Sequence, residues 1–259
     1  MIALMVVILG LTACSTGQSA TSGIDNSVLS TSVFSKASAS SVEMNSSAFV
    51  ADVIPSGTIE AFPDSDIKGA AWQKWKKSVW DAWNTPDNDT VVAYVNDTPI
   101  QKRLVLLHNA GVWVVIDDNI ERGTLDNEQE KDAFVERYGE TFEQSRHQIV
   151  LQEIAYQEAI KNGFECSEQD ARRLVKEQLE SNRSIDPDSY DFALEANGTT
   201  EEEYIERYTP LRLKEVVVAQ YRRSIISGLS AEKTQDEMDA YFQEHVENLM
   251  KNYSIRIVD

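Results

Sequence analysis

Two short segments with β-strand character stand at opposite ends of a long helical stretch, and this arrangement constrains the fold more than any other feature. Thr90-Val-Val-Ala-Tyr-Val95 is a β-branched run closed by Asn96-Asp97, with Pro99 beginning a new element. At the far end Tyr253, Ile255 and Ile257 alternate with Ser254 and Arg256, the period of a half-buried strand. A strand alone leaves a row of backbone donors and acceptors unpaired. Residues 91–95 are therefore expected to pair with residues 254–258, closing a mainly α domain with its ends together.

Between the two strands the pattern is helical. Residues 101 to about 108 read as helix, and Val112-Trp-Val-Val-Ile116 either continues it or forms a strand. Residues 127–138 read as an exposed charged helix. In residues 140–161, Phe142, Ile149, Val150, Leu151, Ile154, Ala155 and Ile160 cover most of a helix circumference, as a buried central helix requires. That helix stops at Asn162-Gly163, where a left-handed cap is favourable. Ser167, with Asp170 three residues on, caps a helix running to about Asn182. Asp186-Pro187 starts a short helix ending at Asn197-Gly198, and Thr200 with Glu203 makes a capping box. Thr209-Pro210 reads as the N-cap and first position of a separate helix over residues 211–227. A last helix spans about residues 234–251.

Upstream of the first strand, residues 67–89 hold four tryptophans. On a helix wheel Trp72, Trp75, Val79, Trp80 and Trp83 share one face, interrupted by Lys76, while Lys74, Lys77, Ser78 and Asp81 sit elsewhere. Such a helix either presents an aromatic surface to a membrane interface or an extended peptide, or docks on the domain. Docking is the expected state, because four exposed indoles would invite aggregation. Trp72, Trp75, Trp80 and Trp83 remain the candidates for contact with a bound polypeptide.

Residues 14–66 begin with a tract, 15–47, in which nearly half the side chains are Ser or Thr and charge occurs only at Asp25, Lys36 and Glu43. So little apolar surface cannot offset the entropy of ordering. A flexible tether of this length has an r.m.s. span on the order of 40 Å. Before it, the apolar run of residues 1–11 leads into Thr12-Ala13-Cys14, the pattern of a secretory leader ending in small residues. The Cys in this position resembles the lipobox of bacterial lipoproteins. That resemblance implies cleavage between Ala13 and Cys14, acylation of Cys14, including palmitate-type chains, and a lipid anchor on the extracytoplasmic side of a bacterial membrane, in the cell envelope. At about 0.8 kcal/mol per buried methylene, anchoring by two or more chains is stable. No Lys or Arg precedes Cys14, so the basic start of such a leader is expected upstream of Met1.

Charge narrows the partners. With 43 acidic against 24 basic residues, net −19, the surface repels phosphate backbones and anionic headgroups, and nucleic-acid binding has no electrostatic basis. The membrane is reached through the lipid. Beyond Cys14 the chain has one thiol, Cys166, which reads as a small buried residue; with Cys14 acylated no intramolecular disulfide forms. No later segment reaches the length of an apolar membrane span. The Asn-x-Ser/Thr sequences at Asn88, Asn96 and Asn182 read as chance.

The order of elements over residues 90–259 resembles the N-terminal chaperone domain of SurA-type periplasmic chaperones and PrsA-type foldase lipoproteins, and is similar to the client-binding arm of trigger factor. Val92-Ala-Tyr-Val-Asn-Asp-Thr-Pro-Ile100 resembles that family's opening strand and turn. The stretch from Ile149 through Asn162-Gly163 to Ser167-Glu168 resembles its central helix, glycine stop and next capped helix, and Thr200-Glu-Glu-Glu-Tyr-Ile205 its late client-facing helices. Asp97 replaces the usual turn glycine, and Pro210 interrupts what is often a continuous helix. The parvulin prolyl-isomerase domain of the foldases has no counterpart here. The resemblance implies a SurA N-terminal-like helical domain whose partners are unfolded or nascent exported polypeptides.

Catalytic spacings are not evident. His108, His147 and His245 fall in separate helices and read as structural or surface residues; HExxH, CxxC, Gly-rich phosphate-loop and GxSxG patterns are missing from the sequence. No cofactor or metal is expected, and carboxylates such as Glu201 to Glu203 read as solvated helix faces. The leading expectation is a tethered, non-catalytic chaperone-like protein holding clients in an apolar groove formed mainly by the helices after Glu140. The alternatives are an envelope adaptor with a fixed protein partner and a foldase-related isomerase with a diverged site.

Overall fold

The computed structural model describes residues 68–125, 127–229 and 233–258. The leader, Cys14 and the tether lie outside the described residues. Strand β1 (Val91–Val95) turns at Asn96, whose φ of 53° is left-handed, and returns as β2 (Thr98–Gln101). Asparagine is among the side chains best suited to that conformation. The C-terminal strand β3 (Ile255–Ile257) lies antiparallel on the other side of β1, giving the order β2-β1-β3 with Ala93 opposite Ile257 and Val95 opposite Ile255. The pairing of the two end strands is thus as expected, and Asn96 N–H donating to the Ser254 carbonyl at 2.7 Å extends it. The strand that the sequence conceals is β2. Pro99 lies in it opposite Tyr94, which is tolerated because β2 is an edge strand.

Eight helices fill the described residues between and before the strands. They are α1 (Ala70–Asn84), α2 (Lys102–Glu121), α3 (Glu128–Tyr138), α4 (Phe142–Lys161), α5 (Glu168–Ile185), α6 (Pro187–Asn197), α7 (Glu201–Ile226) and α8 (Gln235–Leu249). Local chemistry sets most of their ends. Thr141, Thr200 and Thr234 make reciprocal capping boxes with Gln144, Glu203 and Glu237, each satisfying two otherwise orphaned backbone donors. Ser167 accepts the Asp170 N–H at 3.0 Å, and Gly163 and Gly198 end α4 and α6 with φ of 84° and 61°. Val112–Ile116 proves to be helix, inside α2, with Val112, Val114 and Ile116 buried.

Thr209-Pro210 does not start a helix. It lies within α7, and the Thr209 hydroxyl donates back to the Ile205 carbonyl at 2.6 Å. Proline removes one helical donor and crowds the preceding turn, but packing on both sides of Pro210 holds the helix together. Tyr204, Ile205 and Tyr208 before it join a core with Val175, Leu179 and Tyr190 of α5 and α6. Val217, Val218 and Tyr221 after it join the core built on β1, α4 and α8, around Val95, Ile154 and Phe242. Helix α7 therefore spans two separate apolar clusters.

Candidate functional site

The tryptophan helix α1 is docked between α2 and α6. Trp72, 2% exposed, sits with Val114 and Phe192, and its indole Nε1 donates to Asp118 Oδ1 at 3.0 Å. Burial pushes the Asp118 carboxyl up, while the Arg122 guanidinium and the indole N–H pull it down. Trp75 is half-buried and stacks on Phe192 with ring centroids 5.9 Å apart. Trp83, also half-buried, has the guanidinium groups of Arg103 and Arg207 at 5.1 and 4.5 Å from its ring. Its Nε1 points to Tyr208 Oη at 3.4 Å, and Tyr208 in turn donates to Asn197 Oδ1 at 2.8 Å. Burial raises the Tyr208 phenol to about 12.

Trp80 departs from the expected stripe. It is 47% exposed. At 100° per residue it lies about 80° from Trp72 around the helix, at the edge of the apolar arc, and the docking face is filled by Ala71, Trp72, Val79 and Ala82. Its indole lies against the α6–α7 turn. A Cβ added at Gly198 would come within 3.0 Å of Trp80 Nε1 and 3.4 Å of Asn84 Nδ2, so the glycine serves both the left-handed φ and the close approach of the ring.

On the same turn an open depression of about 440 Å³ is lined by Asp191, Leu194 and Glu195 of α6, by Gly198, Thr199 and Thr200, and by Glu203 of α7. Asp191, Leu194, Glu195 and Gly198 recur at helical spacing and so share one face. Its electrostatics are acidic. Glu195 pairs with Lys76, and the Lys76 ammonium also lies 5.4 Å from the Phe192 ring centroid. The Thr200 backbone N–H holds the Glu203 carboxyl below the usual range. Asp191 has no hydrogen-bond or ion-pair partner among the described residues.

The other sequence candidates stay apart. His108 of α2 is buried and lies 3.1 Å from Glu140 Oε2, His147 of α4 is exposed, and His245 of α8 is 2.7 Å from Tyr221 Oη. Cys166 is half-buried, and burial together with Asp170 pushes its thiol up. Glu201 to Glu203 are more than a solvated face. Glu201 accepts from Tyr190 at 2.6 Å and Arg183 at 2.7 Å, Glu202 pairs with Arg172, and Glu203 caps its helix. Among the described residues no group of three or more His, Cys, Asp or Glu side chains is placed to hold a metal ion, and no helix is long and apolar enough to cross a membrane. The nearness of Trp80 to Gly198 carries no sequence signal, since the two are joined only by the docking of α1. No protein-family model, curated protein or solved structure matches this chain.

Proposed function

We propose that this chain is a non-catalytic, chaperone-like lipoprotein, tethered through Cys14 to the extracytoplasmic side of a bacterial membrane, which holds exported polypeptides before they fold. The observation that carries this reading is Trp80. Of the four tryptophans of α1 it alone is largely exposed, and it borders an open depression at the joint of α6 and α7. An indole in water beside a recess offers a large, rigid apolar surface at low cost in side-chain entropy, as suits a site that accepts many sequences. The likeness of the element order to SurA-type chaperone domains supports the same reading, as does the Ser/Thr-rich composition of residues 15–47, which suits a tether between a lipid anchor and the domain.

The test is suppression of aggregation. Purified full-length protein, added in increasing ratio to a chemically unfolded client diluted into buffer, should reduce sedimented client in proportion to its concentration, and Trp80→Ala should weaken the effect. Capture of one stoichiometric envelope partner with no effect on unfolded clients would favour the adaptor instead. Acceleration of prolyl cis/trans exchange in a short peptide would favour the isomerase.

A further inference from the structure

The depression beside Trp80 has a charge pattern that selects among polypeptide side chains. Asp191, Glu195 and Glu203 bring three carboxylates to its wall; Lys76 pairs with Glu195 and Arg207 acts on Glu203 from a distance, while Asp191 has no ion-pair partner among the described residues. The N-terminus of α7 is a poor place for an anion, because its capping box sets the Glu203 carboxylate there and engages the Thr200 and Glu203 N–H groups, and Glu201 and Glu202 add two more acids to the first turn. An apolar side chain placed in the recess would meet Leu194 but would strip water from the acids without answering their charge. A cation meets both parts of the surface: carboxylates on the wall and the exposed indole of Trp80, which lies against Gly198 of the lining.

We infer that this depression receives the Lys or Arg side chains of an unfolded polypeptide, with the charged head answered by Asp191 and Glu195 and the alkyl stem laid along Trp80 and Leu194. The inference rests on the holding function proposed above and adds a preference to it: basic, extended segments are captured first. The net charge of −19 favours the same partners at long range, since it draws cationic segments in and repels acidic ones. Long basic side chains suit the recess because their stems cover apolar surface while the head stays among charges.

Fluorescence anisotropy with the full-length protein tests this, using an extended Ala-Ser-Leu peptide carrying several Lys and its twin with Gln at the same positions. The Lys peptide should bind about tenfold more tightly than the Gln peptide at low salt, with the gap narrowing as salt screens the carboxylates. Asp191→Asn should weaken the Lys peptide about three- to tenfold and leave the Gln peptide unchanged, whereas Trp80→Ala, which removes the indole surface both peptides use, should weaken both, and the Lys peptide more. Asp191 has no partner to lose, so its variant keeps the test valid even if Trp80→Ala loosens α1. Tyr241→Ala, which removes another exposed aromatic on α8, should change neither. Equal binding of the two peptides, or no loss for the Lys peptide in Asp191→Asn, overturns the inference. Aggregation suppression that is blind to client charge would sink this preference while the holding function stands. Tight Lys-peptide binding without suppression would sink the holding function while this site stands. Trp80-dependent binding to neutral phosphatidylcholine vesicles, with no peptide binding, would make the indole a membrane contact and also overturn the inference.

Discussion

Ala93, at the centre of β1, stands directly opposite Ile257 of β3, so the domain is closed by a pair of residues from its two ends. Ala93 and Val95 are fully buried, and Tyr253 at the entry to β3 packs into the same core while its hydroxyl donates to Glu158 at 2.6 Å. Deleting residues 253–259 would uncover one side of β1, leave its backbone groups unpaired and open the core beneath. The expected result is loss of cooperative thermal unfolding, or aggregation, followed by circular dichroism. An unchanged melting curve would mean that the sheet does not close the domain.

Docking of α1 predicts a large cost for Trp72→Ala. The indole is nearly fully buried, and its removal leaves a cavity as well as a buried Asp118 stripped of one donor. Substitutions of this kind cost about 3–5 kcal/mol, whereas exposed Trp80→Ala should cost under about 1 kcal/mol. Chemical denaturation of the two variants measures the difference directly. Comparable losses would contradict the burial pattern along the helix.

What could be read in the sequence was what local spacing controls. Thr200 with Glu203, Ser167 with Asp170, and Gly163 and Gly198 after their helices each announce an end by chemistry confined to a few residues. The misreadings share one cause, which is tertiary packing overriding a local signal. Pro210 reads as a break, but two cores grip α7 on either side of it. Pro99 hides β2 because only the sheet order shows that it occupies an edge. The tryptophan stripe gives the azimuth of each ring but not which arc α2 and α6 cover, so the helix wheel groups Trp80 with residues it does not join. The depression beside it is formed by α6, the turn after it and the start of α7, and only the docking of α1 brings an indole against that turn.

The first turn of α1 is held by an acid on α2. Glu121 accepts the backbone N–H groups of Ala71 and Ala70, each at 2.8 Å, and these bonds hold its carboxyl below the ordinary glutamate range. A carboxyl depressed in the folded state contributes stability above its unfolded pKa and loses it as the pH falls through the folded value. Asp118, raised by burial, acts in the opposite sense, because protonation relieves the penalty of its buried charge. Glu121→Gln removes the first effect and, because the Glu121 charge helps to raise Asp118, relieves part of the second. Its melting temperature should lie below that of the parent at pH 7, and the gap should close between about pH 5 and pH 3. A gap independent of pH would exclude the carboxylate as the cap.

The lipid anchor is tested at one atom. If Cys14 carries the acyl chains, Cys14→Ala should abolish incorporation of labelled fatty acid and release the protein from the membrane fraction; among the described residues no helix is long and apolar enough to cross a membrane. Retention of the variant after a high-salt wash would count against the lipobox.

Two glycines separate backbone strain from contact. Gly163 and Gly198 both have positive φ, 84° and 61°, but an added Cβ meets nothing within 4 Å at Gly163 and meets Trp80 Nε1 at 3.0 Å at Gly198. Alanine at Gly163 should therefore cost only the left-handed strain, about 1–2 kcal/mol. At Gly198 the same strain applies, and the indole must also move off the α6–α7 turn. Gly198→Ala should thus shift Trp80 fluorescence and reduce client holding, where Gly163→Ala lowers stability with both unchanged. If the two variants bound clients equally well at a temperature where both are folded, the contact between Trp80 and the turn would have no part in the proposed site, and the holding function proposed on the strength of Trp80 would lose its support.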